Sequence, residues 1–338
     1  MLVSLILGVL LIILMADSFA RSFFNLGFPS GEGLGNLEEV IVESHHSENK
    51  IAVVRVTGII TSQAWDGSGQ SMVDLIADQL QAAKRDPDVR AVILKVDSPG
   101  GEVMASDDIA REVRDFQDPD NDGKPVVAAM GAVAASGGYY VSAPAQWIVA
   151  NEMTITGSIG VIMHSFNYRR FLDKVGLYPQ VFKSGKLKDM LSGSKNPDDM
   201  DPEEKRIIQD MIDSTYARFK SVVKNGRERA WKQNQGDGRA LVEDWTSYAD
   251  GRVITGAQAY DHGFVDETGT FETAVDRAME LAGISDANVV EYREPPQLFS
   301  FSNLLGKSRS RSLTIDLGLN LPRLQPGRLY FLSSTVLN

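Results

Sequence analysis

The chain has 338 residues, 43% of them hydrophobic and 23% charged, enough for one large domain or two modest ones with a real core. Its 45 acidic residues outnumber 34 basic ones, for a net charge of −11, which argues against a general nucleic-acid binder. It contains no cysteine, so disulfides, thiolate metal sites and a cysteine nucleophile are excluded, and the redox compartment stays open.

Met1 to Ala16 is almost wholly apolar and falls just short of the ~20 residues that span a bilayer as a helix. Residues 1–20 are therefore expected to be a transmembrane anchor. Cleavage as a signal after Ser18-Phe19-Ala20 is the rival, and no basic residue precedes the run to set its orientation. Residues 21–48, rich in Gly, Ser and Asn, read as a linker to a domain over 49–290.

Within that domain, strand-like runs at Ile51–Val56, Ala91–Val96, Pro125–Met130, Trp147–Val149 and Ile159–Ile162 alternate with helical patterns. The first helical face carries Met72, Leu75, Ile76 and Leu80 and stops at Asp86-Pro87; a second runs through Ile109, Val113 and Phe116. A third helix is expected from Ser136 to Ala145. Asp201-Pro202-Glu203-Glu204 opens a long helix whose stripe, from Ile207 to Val223, reads as packed core. A last helix is expected over Phe271 to Leu281. This alternation implies an α/β fold with a largely parallel sheet under covering helices.

Residues 291–338 are a basic tail: from Pro295 on, five basic residues face only Asp316, a balance suited to a loosely ordered terminus or to an anionic lipid surface. Asp118, Asp120, Asp122 and Gly123 imitate the start of a calcium loop, but Ala129 stands where a bidentate Glu is needed, so they read as an acidic turn. No other cluster has metal-ligand spacing, and no cofactor is called for.

Two segments carry candidate chemistry. In Ala134-Ala135-Ser136-Gly137-Gly138-Tyr139-Tyr140, small residues flank a serine between strand and helix. Such a turn either exposes a nucleophilic Oγ beside helix N–H donors or simply makes Ser136 an N-cap. Asp97-Ser98-Pro99-Gly100-Gly101 ends a parallel strand, where open α/β sheets bind ligands, and offers loop amides. A hydroxyl nucleophile needs a base. Of the four histidines, His45 and His46 fall in the linker, His262 at a helix end, and His164 is the one candidate for a Ser–His–Asp triad. The alternative is a neutral lysine from Phe182-Lys183-Ser184-Gly185-Lys186-Leu187-Lys188, with Leu187, Met190 and Leu191 nearby to dry it.

Those segments, with Thr156-Gly157-Ser158-Ile159-Gly160-Val161 and Gly251-Arg252-Val253 through Gly256-Ala257-Gln258-Ala259, occur in the order seen in a known family. Over about residues 50 to 285 the chain resembles the bacterial signal peptide peptidase A family in its short form. The resemblance implies a Clp-protease/crotonase-like fold and membrane-side hydrolysis of remnant signal peptides by a Ser–Lys dyad. The domain would lie on the outer side of the cytoplasmic membrane, and the subunits would form a ring-shaped homo-oligomer. It implies Ser136 as nucleophile, Lys188 as base with Lys183 and His164 as alternatives, Ser158 as the serine that orients the lysine amine, and Gly100, Gly101 and Gly137 as oxyanion donors. A crotonase-like acyl-CoA enzyme and a non-catalytic membrane scaffold are the competing readings; reaction of Ser136 with a phosphonate separates the first, hydrolysis of peptides the second.

Overall fold

The chain divides into two units, Met1–Asn36 and Leu37–Asn338. The computed structural model describes residues 37–64, 70–294 and 329–332, all in the second unit. The expected anchor over 1–20 lies outside the described residues, and none of the helices among them is long and apolar enough to cross a membrane.

The centre of the fold is a sheet in the order β1-β10-β2-β3-β5-β6-β9. Its middle strands are β2 (Lys50–Thr57), β3 (Val89–Ser98), β5 (Val126–Ala135) and β6 (Trp147–Ala150), all parallel neighbours. They are runs of Val, Ile and Ala because a parallel strand covered on both faces needs apolar side chains at every position, not at alternate ones. β9 (Glu267–Thr268) extends the sheet beside β6, and β10 (Asn288–Arg293) runs parallel to β2. Two antiparallel pairs complete it: β1 (Glu38–Glu43) on β10, and β8 (Val253–Thr255) on β7 (Ile155–Gly157), which itself lies parallel to the end of β5.

Helices cover both faces. α1 (Met72–Arg85) starts at a capping box in which Ser71 and Asp74 exchange hydrogen bonds, a device worth about 1 kcal/mol, and buries Ile76 and Leu80. α2 (Val103–Phe116) buries Ile109, Val113 and Phe116. α7 (Phe271–Ala282) closes the opposite face, setting Ala274 and Ala278 against Ile51, Ile93, Val127 and Val149. Between them run α3 (Gly137–Ser142), α4 (Arg169–Lys174), the long α5 (Pro202–Gln233) and α6 (Gly256–Asp261).

Four expectations need correction. Part of the supposed 21–48 linker, Glu-Glu-Val-Ile-Val-Glu, is β1, whose β-branched centre suits a strand and whose flanking glutamates suit a sheet edge. Ile159–Ile162 is not a strand; the pairing falls on Ile155–Gly157, and Ile162 makes only an isolated bridge. The stripe of α5 is core only in its C-terminal half, where Phe219 and Val223 are buried, while Met211 is exposed. The tail is also not merely loose: β10 reaches Arg293, and Tyr330–Leu332 forms β11, paired with β4 (Gly100–Glu102).

Candidate active site

The parallel strands end at one edge, and the loops leaving β3 and β5 meet there. β5 stops at Ala135 and α3 begins at Gly137, which leaves Ser136 to turn the corner with φ 54° and ψ −115°. A non-glycine residue held there is strained by roughly 1–3 kcal/mol and persists only where its surroundings impose it. Here they do: the Ser136 N–H donates to Gly157 O at 2.8 Å, and its carbonyl accepts the Tyr140 N–H at 2.8 Å.

That geometry bears on the capping reading of Ser136. An N-cap serine spends its hydroxyl on the first helical amides. Ser136 makes no such bond, and its buried Oγ has no hydrogen-bond partner among the described residues. The expectation of an exposed hydroxyl is wrong in one respect: the residue is only 1% exposed.

The glycine loop packs directly on this corner. Gly100 has φ +103°, and its N–H donates to Ser98 Oγ at 3.1 Å; Ser98 Oγ in turn donates to Gly58 O. The Gly100 amide is thus already engaged. A methyl built on Gly137 would stand 3.0 Å from the Gly101 nitrogen, and one on Gly101 would strike Ile60 O at 1.9 Å. Only glycine lets the two amides of Gly101 and Gly137 approach one another. Ser158 follows Gly157 beside Ser136, at φ 51° and nearly buried, with its N–H donating to Arg252 O at 2.7 Å. Ser136, Gly100, Gly101, Gly137 and Ser158 are therefore brought together.

Behind the corner, the buried Arg227 of α5 clamps α3. It donates to Ala145 O at 3.0 Å and to Ala143 O at 3.4 Å, and pairs with Asp266, which also accepts the Ile148 N–H. Tyr139 donates to Phe264 O at 2.8 Å, and Tyr140 to Asp107 at 2.5 Å. Burial first, then the Asp107 contact, pushes the Tyr140 phenol well up from its ordinary value, so it stays a neutral donor.

The candidate bases are placed elsewhere. His164 is exposed, and so are Lys183 and Lys188, on an arm running from about 163 to 200. Lys183 donates to Asp189 at 2.6 Å and to Lys186 O, and Lys186 pairs with Asp201, which raises the Lys186 pKa. Lys188 makes no ion pair among the described residues. The expected drying of its amine by Leu187, Met190 and Leu191 does not occur within one chain.

Sequence reasoning missed what fills the groove. β11 lies antiparallel to β4, with Tyr330 opposite Glu102, Phe331 opposite Gly101 and Leu332 opposite Gly100. On its other edge Tyr330 exchanges two 3.1 Å hydrogen bonds with Ile162. An extended chain held on both edges is strand addition, the mode by which sheet edges take peptides. The signal was legible in part: Leu329-Tyr330-Phe331-Leu332 is an apolar, aromatic run just after Pro326-Gly327. Past Leu332 the groove opens into a cavity of about 340 Å³ lined by Ser158, Ile162, Ile212, Tyr216 and Asp250.

Residues 119–285 match the model of peptidase family S49. A candidate signal peptide peptidase, SppA, of Enterococcus faecium is 36% identical over 81% of this chain and 76% of its own length. A candidate protease of Synechocystis sp. is 36% identical over 81% of this chain and 89% of that protein. The chloroplastic serine protease SPPA of Arabidopsis thaliana is 29% identical over 79% of this chain and 39% of that protein. Among solved structures, a mutant ClpP1 from Listeria monocytogenes is similar over 66% of this chain and 94% of that one, at 14% identity and a TM-score of 0.37. With a strained, unpartnered serine at the head of a helix and this set of relatives, the chain belongs to peptidase family S49 and is a serine endopeptidase.

Proposed function

We propose that this endopeptidase hydrolyses remnant signal peptides beside the membrane by a Ser–Lys dyad, with Ser136 as nucleophile and Lys188 as its base. The observation that carries the reading is the buried Ser136 hydroxyl, unpartnered at a strained strand-to-helix corner. The neutral Lys188 amine takes the Ser136 proton as Oγ attacks the peptide carbonyl. The amides of Gly101 and Gly137 hold the oxyanion, Ser158 orients the amine, and the lysine returns the proton to the leaving amine. Water then hydrolyses the acyl-enzyme by the same route in reverse.

In this reading Lys188 reaches Ser136 from a neighbouring copy in a ring. Two observations favour that. The Lys188 amine is uncommitted while Lys183 and Lys186 are tied to carboxylates, and the arm carrying it exposes Phe166, Phe171, Tyr178, Val181 and Phe182, the last at 93%. Such a run of apolar side chains is what a subunit contact would cover. Assembly would also supply the dry surroundings that an amine needs to act as a base. The Clp-protease/crotonase-like architecture, anchoring through residues 1–20 and a catalytic domain outside the cytoplasmic membrane complete the proposal.

The test is labelling with a fluorophosphonate together with peptide hydrolysis. Ser136 is labelled in the full chain, and Lys188→Ala abolishes hydrolysis while His164→Ala and Lys183→Ala retain most of it. Loss confined to His164→Ala would support a histidine base instead. Absence of label on Ser136 would favour the acyl-CoA reading, and label without turnover a scaffold.

A further inference from the structure

Away from the strand edge, α2, α5 and the chain leaving α3 bound a cavity of about 160 Å³. Its floor is tightly packed: α5 meets the end of α3 at Gly226, where a methyl would strike Ala143 O at 2.3 Å. Its walls carry four arginines, Arg111 and Arg114 from α2 and Arg218 and Arg229 from α5, against one carboxylate, Asp107. On a chain of net charge −11 this is a local reversal of sign, and it is gathered in the wall of a pocket rather than spread along a helix face. Like charges drawn this close repel one another unless an anion joins them.

The carboxylates in reach leave that excess standing. Asp107 is shared: it accepts the Tyr140 hydroxyl at 2.5 Å and Arg218 at 3.2 Å, and stands 3.5 Å from Arg111. Arg111 also pairs with Asp108, and Arg114 with Asp115 at 2.8 Å, both carboxylates lying outside the lining. Arg229 pairs with none. Among the described residues its guanidinium makes one hydrogen bond, to Pro144 O at 2.6 Å, which leaves most of its five donors unused. Burial first, then the charge of Arg114, presses the Arg229 pKa down from its ordinary value; Asp115 and Asp118 oppose this without bonding to it. A half-buried guanidinium short of acceptors, beside three others, is completed by an anion with several oxygens. The planar fork of arginine matches phosphate oxygens in pairs. A phosphate group brings up to two charges and three acceptors to one point, where a carboxylate brings one charge.

We propose that the cavity between α2 and α5 binds a phosphate group, with Arg229 as its principal ligand and Arg111, Arg114 and Arg218 around it. The ligand is inorganic phosphate or the phosphate monoester of a lipid headgroup, which share this chemistry. The site is separate from the Ser136 corner and stands whichever residue serves as the base.

The test is calorimetric titration of the full chain in a non-ionic detergent, at neutral pH and constant ionic strength. The probes are inorganic phosphate, glycerol phosphate and a soluble short-chain phosphatidic acid, with nitrate as the reference anion. Saturable binding to one site is expected for the phosphates. Arg229→Gln should weaken it roughly tenfold or more, and Arg229→Lys should recover only part, because an ammonium offers no fork. Arg114→Gln should weaken it by a smaller factor, and it carries the test if Arg229→Gln does not fold, as denaturant unfolding of each variant will show. Arg206→Gln, on the same helix but outside the cavity and 71% exposed, should leave affinity unchanged. Phosphatidic acid binding more tightly than the other two supports a lipid headgroup as the source, and equal binding of all three supports free phosphate. The proposal is overturned if no phosphate probe binds more tightly than nitrate. Equal losses in the Arg229 and Arg206 variants, or unchanged affinity in folded Arg229 and Arg114 variants, would overturn it as well.

Discussion

The corner around Ser136 and the arm that carries Lys188 are built in opposite ways. At the corner, a methyl on Gly101 would strike Ile60 O at 1.9 Å and one on Gly138 would reach Ser98 O at 2.5 Å. On the arm, Gly176 and Gly185 have nothing within 4 Å of such a methyl. The corner buries Ser136, Tyr139 and Tyr140 completely or nearly so, whereas the arm leaves Phe182 93% exposed. One chain is thus enough to impose a strained serine, because the packing that holds it comes from β3, β5, β7 and α5 of the same chain. It is not enough to desolvate an amine on an arm with so little packed against it. The difference explains why the serine's strained corner forms within one chain while the amine of Lys188 stays exposed there.

Several experiments would break or sharpen that contrast. The largest effect is expected from activity. Ser136→Ala and Lys188→Ala should each lower peptide hydrolysis by about 10⁴-fold or more, as losing either half of a nucleophile–base pair does. Mixing the two inactive chains under reassembly should restore a measurable fraction of activity if serine and lysine come from different copies. If the mixture stays dead, the dyad across subunits is wrong.

Next comes stability. Arg227→Met leaves Asp266 buried without its cation, and breaking such a pair from one side costs about 3–5 kcal/mol. Denaturant unfolding should show a midpoint well below that of the parent. The exposed Lys186–Asp201 pair on the arm is the matching control, and Lys186→Ala should leave the midpoint in place.

Gly137→Ala puts a methyl 2.7 Å from Ser106 Oγ and 3.0 Å from the Gly101 nitrogen. By spreading the two amides it should cost about 10²-fold in kcat with KM little changed. The smallest activity effect concerns the groove. A chain ending before Leu329 lacks the tethered segment that competes with substrate, so its kcat/KM for short peptides should rise several-fold, up to roughly tenfold. An unchanged rate would mean that β11 leaves the groove readily in solution.

Much of this molecule could be read before any fold was seen. The runs of Val, Ile and Ala at 51–56, 91–96 and 125–130 announced buried parallel strands, and the small residues around Ser136 announced the corner. Glu38–Glu43 was missed because only three β-branched residues stand between glutamates, with no period of two to mark a strand. Tyr330–Leu332 was missed because a three-residue strand has too little pattern to stand out and finds its partner more than two hundred residues away.

Local sequence alone determined the central parallel strands, most of the covering helices and the small residues that make the corner at Ser136, because these follow from periodicity and from which residues tolerate a given backbone. Only the tertiary structure decided that the Ser136 hydroxyl does not cap its helix, that the Gly100 amide is already engaged, and that Tyr140 and Phe219 pack around Phe331. Those facts depend on contacts between segments far apart in the chain, and no local pattern encodes which distant surface will meet which.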